Sequence, residues 1–190
     1  NIDSCLIARF LSIDLSIMNK NEFDIIRDYF STPELSFEQE GLELGIGDDA
    51  ALIQIPNANS LSISTDVLVE GVHFPTNANP SQIAKRALSV NLSDLAAMAA
   101  KPRFFTLGLV LPSASEDWLS EFSAGLGEIA QKYRITLIGG DLSKGPMAIA
   151  IQVHGLSPIG KALRRDGAKI EDELFVTGPL GEGAIGLLCV

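Results

Sequence analysis

The spacing of hydrophobic and polar positions along the chain predicts strands separated by helices. Apolar and polar residues alternate through SLSISTDVLVEGVHF, from 60 to 74, and a shorter apolar run lies at about 51 to 55. A two-residue period of this kind is typical of a strand with one buried face. Further strands are predicted by FFTLGLVL at 104 to 111, by ITLIGG, by MAIAIQVHG and by ELFVTG. The segment DLSKGP is rich in turn residues and predicts a hairpin connection between ITLIGG and MAIAIQVHG.

Four segments have the spacing of helices. The first, EFDIIRDYF, places on one stripe Phe23, Ile26 and Phe30. Asn79-Pro80 is a cap followed by a first-turn proline, which predicts a helix running to about Ala100. A third helix is predicted from 115 to 133, and its apolar face comprises Trp118, Phe122 and Leu126. A fourth begins in GEGAIGLLCV at the end of the chain.

This order of elements predicts an α+β fold, a mixed α/β sandwich rather than a doubly wound sheet. The polar, glycine-bearing stretch SPIGKALRRDGAKIEDELF predicts a domain boundary near 158 to 165. We expect residues 18–160 to form an N-terminal domain and residues 161–190 to begin a truncated C-terminal domain. Residues 1–17 have neither a basic n-region nor a clean apolar h-region, so we expect an added or mistranslated leader there.

Composition narrows the classes of function. Asp and Glu number 24 against 14 Lys and Arg, a net charge of −10, and this disfavours a nucleic-acid-binding surface because such a surface needs a basic footprint. No apolar run approaches the roughly 20 residues that cross a bilayer. The two cysteines, Cys5 and Cys189, have the spacing of neither a zinc site nor a disulfide framework. We therefore expect a cytoplasmic protein that binds neither nucleic acid nor membrane.

Five aspartates stand at the edges of apolar segments, and none has an adjacent basic residue. They are Asp48, Asp49, Asp66, Asp94 and Asp141. The first two are neighbours inside LGIGDDAALIQIP, where side-by-side carboxylates repel each other and resist leaving water without a positive partner. Taken singly, each of the five could instead be a cap, a turn residue or a satisfied structural carboxylate.

The residues around these aspartates indicate which positive partner they meet. Ser64 and Thr65 add hydroxyl oxygens before Asp66, and Asn91 shares a helix face with Asp94, where a buried carboxylate would need a partner. Gly139 and Gly140 free the backbone beside Asp141 for close approach to a ligand. Oxygen ligands of this kind suit Mg²⁺, which pairs one or two carboxylates with substrate phosphates. We therefore expect Asp49, Asp66, Asp94 and Asp141 to converge on one magnesium site, which would need two or more metal ions to offset so many carboxylates and phosphates.

Three other motifs remain open from the residues alone. The glycines of GEGAIG, at 181, 183 and 186, have dinucleotide-binding spacing, but no βαβ unit frames them and the acidic residue expected about 20 positions later would lie past the chain end. His73 is either a ligand contact or a residue that shapes its loop. Arg164 and Arg165 form either a solvated turn or a phosphate contact, since paired guanidiniums suit phosphate oxygens. A P-loop is excluded because GxxxxGK[ST] is absent.

Four long motifs occur together in one order: GIGDDAA, ISTDVLVEGVHF, NLSDLAAMAA and LIGGDLSKGP. In this order and spacing the chain resembles the thiamine-monophosphate kinase family, within the superfamily of aminoimidazole ribonucleotide synthetase. The resemblance covers about residues 21 to 190. TGPLGEGAIGL looks like the opening of the family's second domain, and this accounts for the glycine spacing. The chain departs from the family in extent, because it stops at the first helix of that domain.

The resemblance implies ATP-dependent phosphorylation of thiamine monophosphate to thiamine diphosphate by a Mg²⁺-dependent homodimer. The residues at the family's magnesium-binding positions are Asp49, Ser64, Thr65, Asp66, Asp94 and Asp141. The nucleotide-contacting positions are Gly140, Asp141 and Arg165, and His73 matches a contact to the thiamine substrate. It also implies that the N-terminal domain binds ATP and Mg²⁺ and carries the dimer contact, and that the present chain alone is inactive.

Two alternatives are weighed beside this interpretation. One is another ATP-dependent enzyme of the same superfamily, such as a selenophosphate synthetase, a hydrogenase-maturation enzyme or a purine-pathway synthetase. The other is a non-catalytic module that binds Mg-ATP and dimerises. The combination of GDDAA with STDVLVEGVHF argues against the first, and binding of Mg-ATP without turnover would favour the second.

Overall fold

The computed structural model describes residues 21–113, 115–176 and 178–188. Its first element is a short helix, α1 (Glu22–Ile25), which continues as a π-helical turn (Ile26–Phe30). The elements that follow in chain order are β1 (Leu42–Leu44), β2 (Leu52–Ile53), β3 (Asn59–Val69), α2 (Pro80–Ala97), β4 (Lys101–Leu111), α3 (Glu116–Tyr133), β5 (Thr136–Lys144), β6 (Ala148–Pro158) and α4 (Glu182–Leu188).

Four strands form the main sheet in the order β3-β6-β4-β5, and β1 pairs with β2 in a small separate sheet. β6 is antiparallel to both of its neighbours, whereas β4 and β5 are parallel and are connected by α3. The long helices α2 and α3 pack against each other and cover the same side of the sheet. The structure therefore confirms the predicted α+β class, with a mixed sheet and helices on one face.

The hydrophobic core lies between this sheet and the two long helices. Alternate side chains of β6 point into it and are almost completely buried, namely Ile149, Ile151 and Val153. From α3 come Phe122 and Leu126, both fully buried, and Trp118 stacks on Phe122 with ring centroids 4.8 Å apart. Each large side chain buried in this way contributes about 1.5–3 kcal/mol relative to exposure. The predicted apolar face of the helix from 115 to 133 is confirmed.

Local capping signals explain where the long helices begin and end. The Asn79 side chain accepts the Gln82 N–H at 3.1 Å, and the Ser115 hydroxyl accepts the Trp118 N–H at 3.2 Å, so each helix starts at its predicted cap. α2 ends at Ala97, slightly earlier than predicted, because Ala99 turns into the left-handed region at φ 52°. In the described ranges, no helix is long and apolar enough to cross a membrane.

The predicted hairpin at DLSKGP is wrong. Its first four residues, DLSK, belong to β5, and only residues 145–147 lead to β6, but β4 lies between those two strands and pairs with both of them. β5 therefore forms one edge of the sheet, while β6 takes an inner position where Ile149, Ile151 and Val153 are buried. The turn residues mark the chain reversal, but they do not decide which strands become neighbours.

Three other elements differ from their predictions. β3 ends at Val69, because the chain turns at Gly71, whose φ is +75°. In the first helical segment Ile25 and Phe30 are buried whereas Phe23 is 78% exposed, because the π-helical turn changes the spacing that faces the core. Residues 173–176, the described start of ELFVTG, form no strand.

Two apolar surfaces are left uncovered by the described residues. The side of the sheet that faces away from the helices exposes Leu61, Ile63 and Val67 of β3 by 37, 55 and 51%. The stretch after Pro158 also holds large apolar side chains in solvent, namely Ile170, Leu174, Phe175 and Leu180.

Candidate functional site

The clearest cluster of predicted site residues lies where β3 runs beside α2. The Ser64 hydroxyl donates to the Asp94 carboxylate at 2.5 Å, and Asp66 follows two positions along the same strand face. Asp94 is exposed, so the expectation of a buried carboxylate on this helix is wrong. The buried polar residue is Asn91, one turn earlier, which is 0% exposed.

Asn91 connects the helix to the strand at Asp66. Its side-chain oxygen accepts the backbone N–H of Asp66 at 3.0 Å, and its side-chain nitrogen donates to the Ala87 carbonyl at 3.0 Å. The sequence placed Asn91 on the same helix face as Asp94 but did not assign it to the site. The feature of the sequence that points to Asn91 is an amide side chain inside an otherwise apolar helix segment.

Thr65 lies on the opposite side of the sheet from Ser64 and Asp66, because side chains alternate along a strand. Its hydroxyl accepts a hydrogen bond from the Gln152 amide at 3.0 Å, and Gln152 in turn lies 3.1 Å from Nε2 of His154. His154 is only 8% exposed, and this burial lowers the pKa of its imidazole below the ordinary value. The Thr65 hydroxyl is therefore not part of the cluster at Ser64 and Asp94.

Asp141 belongs to a second group at the opposite edge of the sheet, on strand β5. A cavity of about 550 Å³ opens beside it, and Asp48, Asp49, Gly139 and Gly140 also line this cavity. Its apolar wall includes three residues of the first helical segment, Phe23, Ile26 and Phe30. A volume between about 300 and 1,000 Å³ with a few polar groups is typical of a small-molecule site.

Two close contacts fix the backbone that lines this cavity. A side chain at Gly140 would be impossible without movement, since a Cβ there would lie 2.0 Å from the Leu107 carbonyl oxygen. Asp48 accepts the backbone N–H of Asp49 at 2.8 Å, so its carboxylate also holds the turn.

Partial burial, and then the charge of Asp141, raise the pKa of the Glu22 carboxyl, a residue that the sequence did not single out.

Within one copy of the chain these two groups are far apart. Asp66 is on β3 and Asp141 on β5, the two edges of the sheet, which three strand spacings separate by about 14 Å. Asp141 is in register with Gly108, Ala150 and Val67, so it projects from the open side of the sheet, whereas Asp66 projects from the helix side. The expected convergence of all four aspartates on one site is not met within a single described chain.

The remaining predicted residues lie outside both groups. His73 is in the turn after β3, where its Nδ1 accepts the Val69 N–H at 3.0 Å. It therefore shapes this turn, and Nε2 is the ring nitrogen left to contact a ligand. Arg164 pairs with Asp166 through two bonds of 2.9 Å, so it takes part in a solvated turn, and Arg165 is exposed beside it.

The donor chemistry of both groups suits a hard cation that is shared with phosphate oxygens. The donors are carboxylates, with the hydroxyl of Ser64 beside Asp94. Among residues 21–113, 115–176 and 178–188, no three His, Cys, Asp or Glu side chains come together as a metal-binding group. The residues present therefore fit Mg²⁺ held by one or two carboxylates together with a substrate phosphate, and do not form a complete protein cage.

Comparison with known proteins identifies close relatives of this fold and site. Residues 47–157 match the model of the family described as AIR synthase related protein, N-terminal domain. The thiamine-monophosphate kinase of Escherichia coli strain K12 is 48% identical over 166 residues, which cover 87% of this chain and 50% of the relative. The chain thus spans about half the length of the curated relatives it matches.

Solved structures give the same result for the fold. The crystal structure of thiamine-monophosphate kinase from Stenotrophomonas maltophilia K279a superposes with a TM-score of 0.66 at 46% identity, covering 70% of this chain and 42% of that one. The structure described as AaThiL complexed with AMPPCP and TMP has a TM-score of 0.56 at 32% identity, covering 65% and 40%. Every candidate site residue except Arg165 falls within the range 47–157.

Proposed function

The chain belongs to the family of AIR synthase related proteins, and on that premise we propose that the full-length protein phosphorylates thiamine monophosphate with ATP. The observation that carries this proposal is the near-half identity to a thiamine-monophosphate kinase along most of the chain. A second support is that AaThiL, which has the same fold, is described in complex with AMPPCP, an ATP analogue, and TMP. The product would be thiamine diphosphate, with ADP released.

The reaction that we propose is an in-line transfer of the γ-phosphoryl group. An oxygen of the acceptor's phosphate forms a bond to the γ-phosphorus, and the bond from that phosphorus to the β-phosphate oxygen breaks, so ADP leaves with the electron pair. The acceptor oxygen is already anionic, so no strong general base is required. The task of the protein is to align two phosphate groups that repel each other.

We propose that Asp66, Asp94 and Ser64 hold Mg²⁺ on the β3 side of the sheet. On the β5 side, Asp49 and Asp141 hold a separate Mg²⁺. Bound magnesium would neutralise the phosphates and orient them. Gly139 lines the cavity beside Asp141 and a Cβ there would meet nothing within 4 Å, so a phosphate can approach the β5 backbone at this residue. Arg165 supplies a guanidinium that can contact phosphate oxygens. His73 would contact the thiamine substrate through Nε2, because its Nδ1 already accepts a bond from the turn.

We further propose that the active protein is a homodimer whose site lies near the contact between copies. Two observations support this. The two groups of aspartates lie on opposite edges of one sheet, and in a dimer a shared site could take one group from each copy. The open side of the sheet also exposes Leu61, Ile63 and Val67, and a specific interface there should bury at least about 1,000 Å² in total.

Sedimentation tests the dimer directly. The full-length parent should sediment as a dimer, and Ile63→Asp should be monomeric because it places a charge on the proposed contact face. Val72→Asp is the matched control, since Val72 is 76% exposed but lies in the turn after β3, and this variant should remain dimeric. A monomeric parent at high concentration would refute the dimer.

We propose that the stretch from 161 onward opens a C-terminal domain that completes the site. The matched range ends at 157, and the residues that follow expose large apolar side chains that a further domain would cover. We therefore expect the 190-residue chain alone to show no kinase activity above background. In that form it would act only as a Mg-ATP-binding module.

The test of the proposed function uses the full-length protein with Mg-ATP and thiamine monophosphate. Formation of thiamine diphosphate in step with ADP supports it. Phosphorylation of another acceptor, such as selenide, in place of thiamine monophosphate would favour a different enzyme of the superfamily. Binding of Mg-ATP without turnover of either would favour a non-catalytic module.

A further inference from the structure

The feature from which a further role follows is the amide of Asn91, buried where α2 meets the free edge of β3. β3 pairs with β6 along its whole length, and among the described residues no strand pairs with its other edge. The Asp66 N–H points to that edge, and Asn91 accepts it at 3.0 Å. An edge N–H that lacks such a partner must bond to water, and the strand is then free to move away from the helix.

The orientation of the Asn91 amide is fixed by both of its ends. Its nitrogen faces the Ala87 carbonyl, which can only accept, and its oxygen faces the Asp66 N–H, which can only donate. The side chain is 0% exposed and is surrounded along α2 by apolar residues such as Leu88 and Leu92. A buried amide is costly unless both ends are bonded, so this position selects one arrangement of helix and strand.

The bond from Asn91 is one of two that join the same short stretches. Asn91 binds Asp66, and one turn further along the helix Asp94 accepts the hydroxyl of Ser64, two residues earlier on the strand. Because the two bonds run in opposite order along helix and strand, together they fix the sliding of β3 past α2. The Ser64–Asp94 bond alone involves an exposed carboxylate that a cation can recruit, whereas the Asn91 bond is buried and keeps its geometry.

We propose that Asn91 is a positioning residue that holds Asp66 at a fixed distance from Asp94, so that the two carboxylates can share one phosphate-bound divalent cation. This role rests on the proposed function, because it refers to the same Mg-ATP site. Asn91 itself touches neither cation nor nucleotide. Its loss should therefore weaken the binding of Mg²⁺ at the nucleotide site, without the removal of any ligand.

The test measures the Mg²⁺ concentration that gives half-maximal ATP binding to the full-length protein. Asn91→Ala removes the acceptor for the Asp66 N–H and keeps a strong helix former in α2. We expect its half-saturating Mg²⁺ concentration to rise by about tenfold or more, as for residues that orient metal ligands. Asn91→Leu, which fills the space with an apolar side chain, should show the same rise.

Leu92→Ala is the matched control for a merely structural effect. Leu92 is the next residue of α2 and is 7% exposed, so its truncation lowers the melting temperature but leaves the acceptor at Asn91 in place. Its half-saturating Mg²⁺ concentration should equal that of the parent. Either Asn91 variant with the parent's value, or a Leu92→Ala shift as large as theirs, would overturn the inference.

Amide hydrogen exchange of the parent gives a second measurement that does not depend on a variant folding. The Asp66 N–H should exchange as slowly as the paired amides of β3, and exchange at the rate of an exposed loop would overturn the inference. The binding assays also separate this proposal from the proposed function. If the parent binds Mg-ATP but does not phosphorylate thiamine monophosphate, the proposed function fails, whereas the Mg²⁺ shift still tests Asn91.

Discussion

Gly140→Ala should damage both the fold and the nucleotide site, although it adds a single methyl group. A Cβ at this position would lie 2.0 Å from the Leu107 carbonyl oxygen and 2.8 Å from its carbonyl carbon, whereas ordinary contacts begin at 3.4 Å. The backbone of β4 or β5 must therefore shift by about 1.4 Å, because all the close atoms belong to the Leu107 backbone. Overpacking of this kind costs about 3 kcal/mol, which corresponds to a fall of about 6–12 °C in melting temperature.

The same shift moves Asp141, the next residue of β5, relative to Asp48 and Asp49 across the cavity. A misplacement of about 1 Å can reduce a phosphoryl-transfer rate on the order of a hundredfold, so activity should fall further than the fraction of folded protein. Gly139→Ala is the control for the fold, because a Cβ there would meet nothing within 4 Å. Thermal unfolding should separate the two variants, and Mg-ATP binding should fall in Gly140→Ala. A parent-like melting temperature for Gly140→Ala, or an equal fall for Gly139→Ala, would show that the contact with Leu107 does not constrain this position.

Two further predictions concern charge. Asp94→Asn keeps the size of the side chain and an oxygen for the Ser64 hydroxyl, so the free energy of unfolding should change little. The kinase activity of the full-length protein should fall by about a hundredfold or more. Near-normal turnover would show that Asp94 is not part of the cation site. Burial holds the pKa of His154 below its ordinary value, so as the pH falls the unfolded chain takes up the proton before the folded chain does. The free energy of unfolding therefore keeps its full value above about pH 6.5. Below that pH it falls by up to about 1.4 kcal/mol per pH unit. Urea unfolding between pH 7.5 and 5.5 should show this slope in the parent and a smaller one in His154→Leu, and equal slopes would contradict the burial of a neutral imidazole.

Features decided by neighbouring residues could be predicted from the sequence. The caps at Asn79 and Ser115 act on N–H groups three residues away, so a local pattern was sufficient to locate the starts of α2 and α3. The pairing of β5 with β4 could not be predicted in this way. It depends on the parallel crossover through α3, which places β5 on one edge of β4 while β6 pairs with the other edge.

The candidate site also has a part that could be predicted and a part that could not. Ser64 and Asp66 lie on one strand and Asp94 lies on the helix beside it, and the structure brings them together. The position of Asp141 follows from the order of strands across the sheet, which no spacing in the sequence encodes, so its distance from Asp66 was not predicted. Thr65 was grouped with Ser64 by adjacency, although the alternation of a strand places neighbouring side chains on opposite faces.

If the full-length protein transfers phosphate from ATP to thiamine monophosphate, phosphorus NMR of a reaction with Mg-ATP and thiamine monophosphate will detect the transfer, because the diphosphate product and ADP give separate signals. We expect one thiamine diphosphate to form for each ADP, and no product when magnesium is removed. ADP without thiamine diphosphate, or an unchanged mixture with folded protein that binds Mg-ATP, would contradict it.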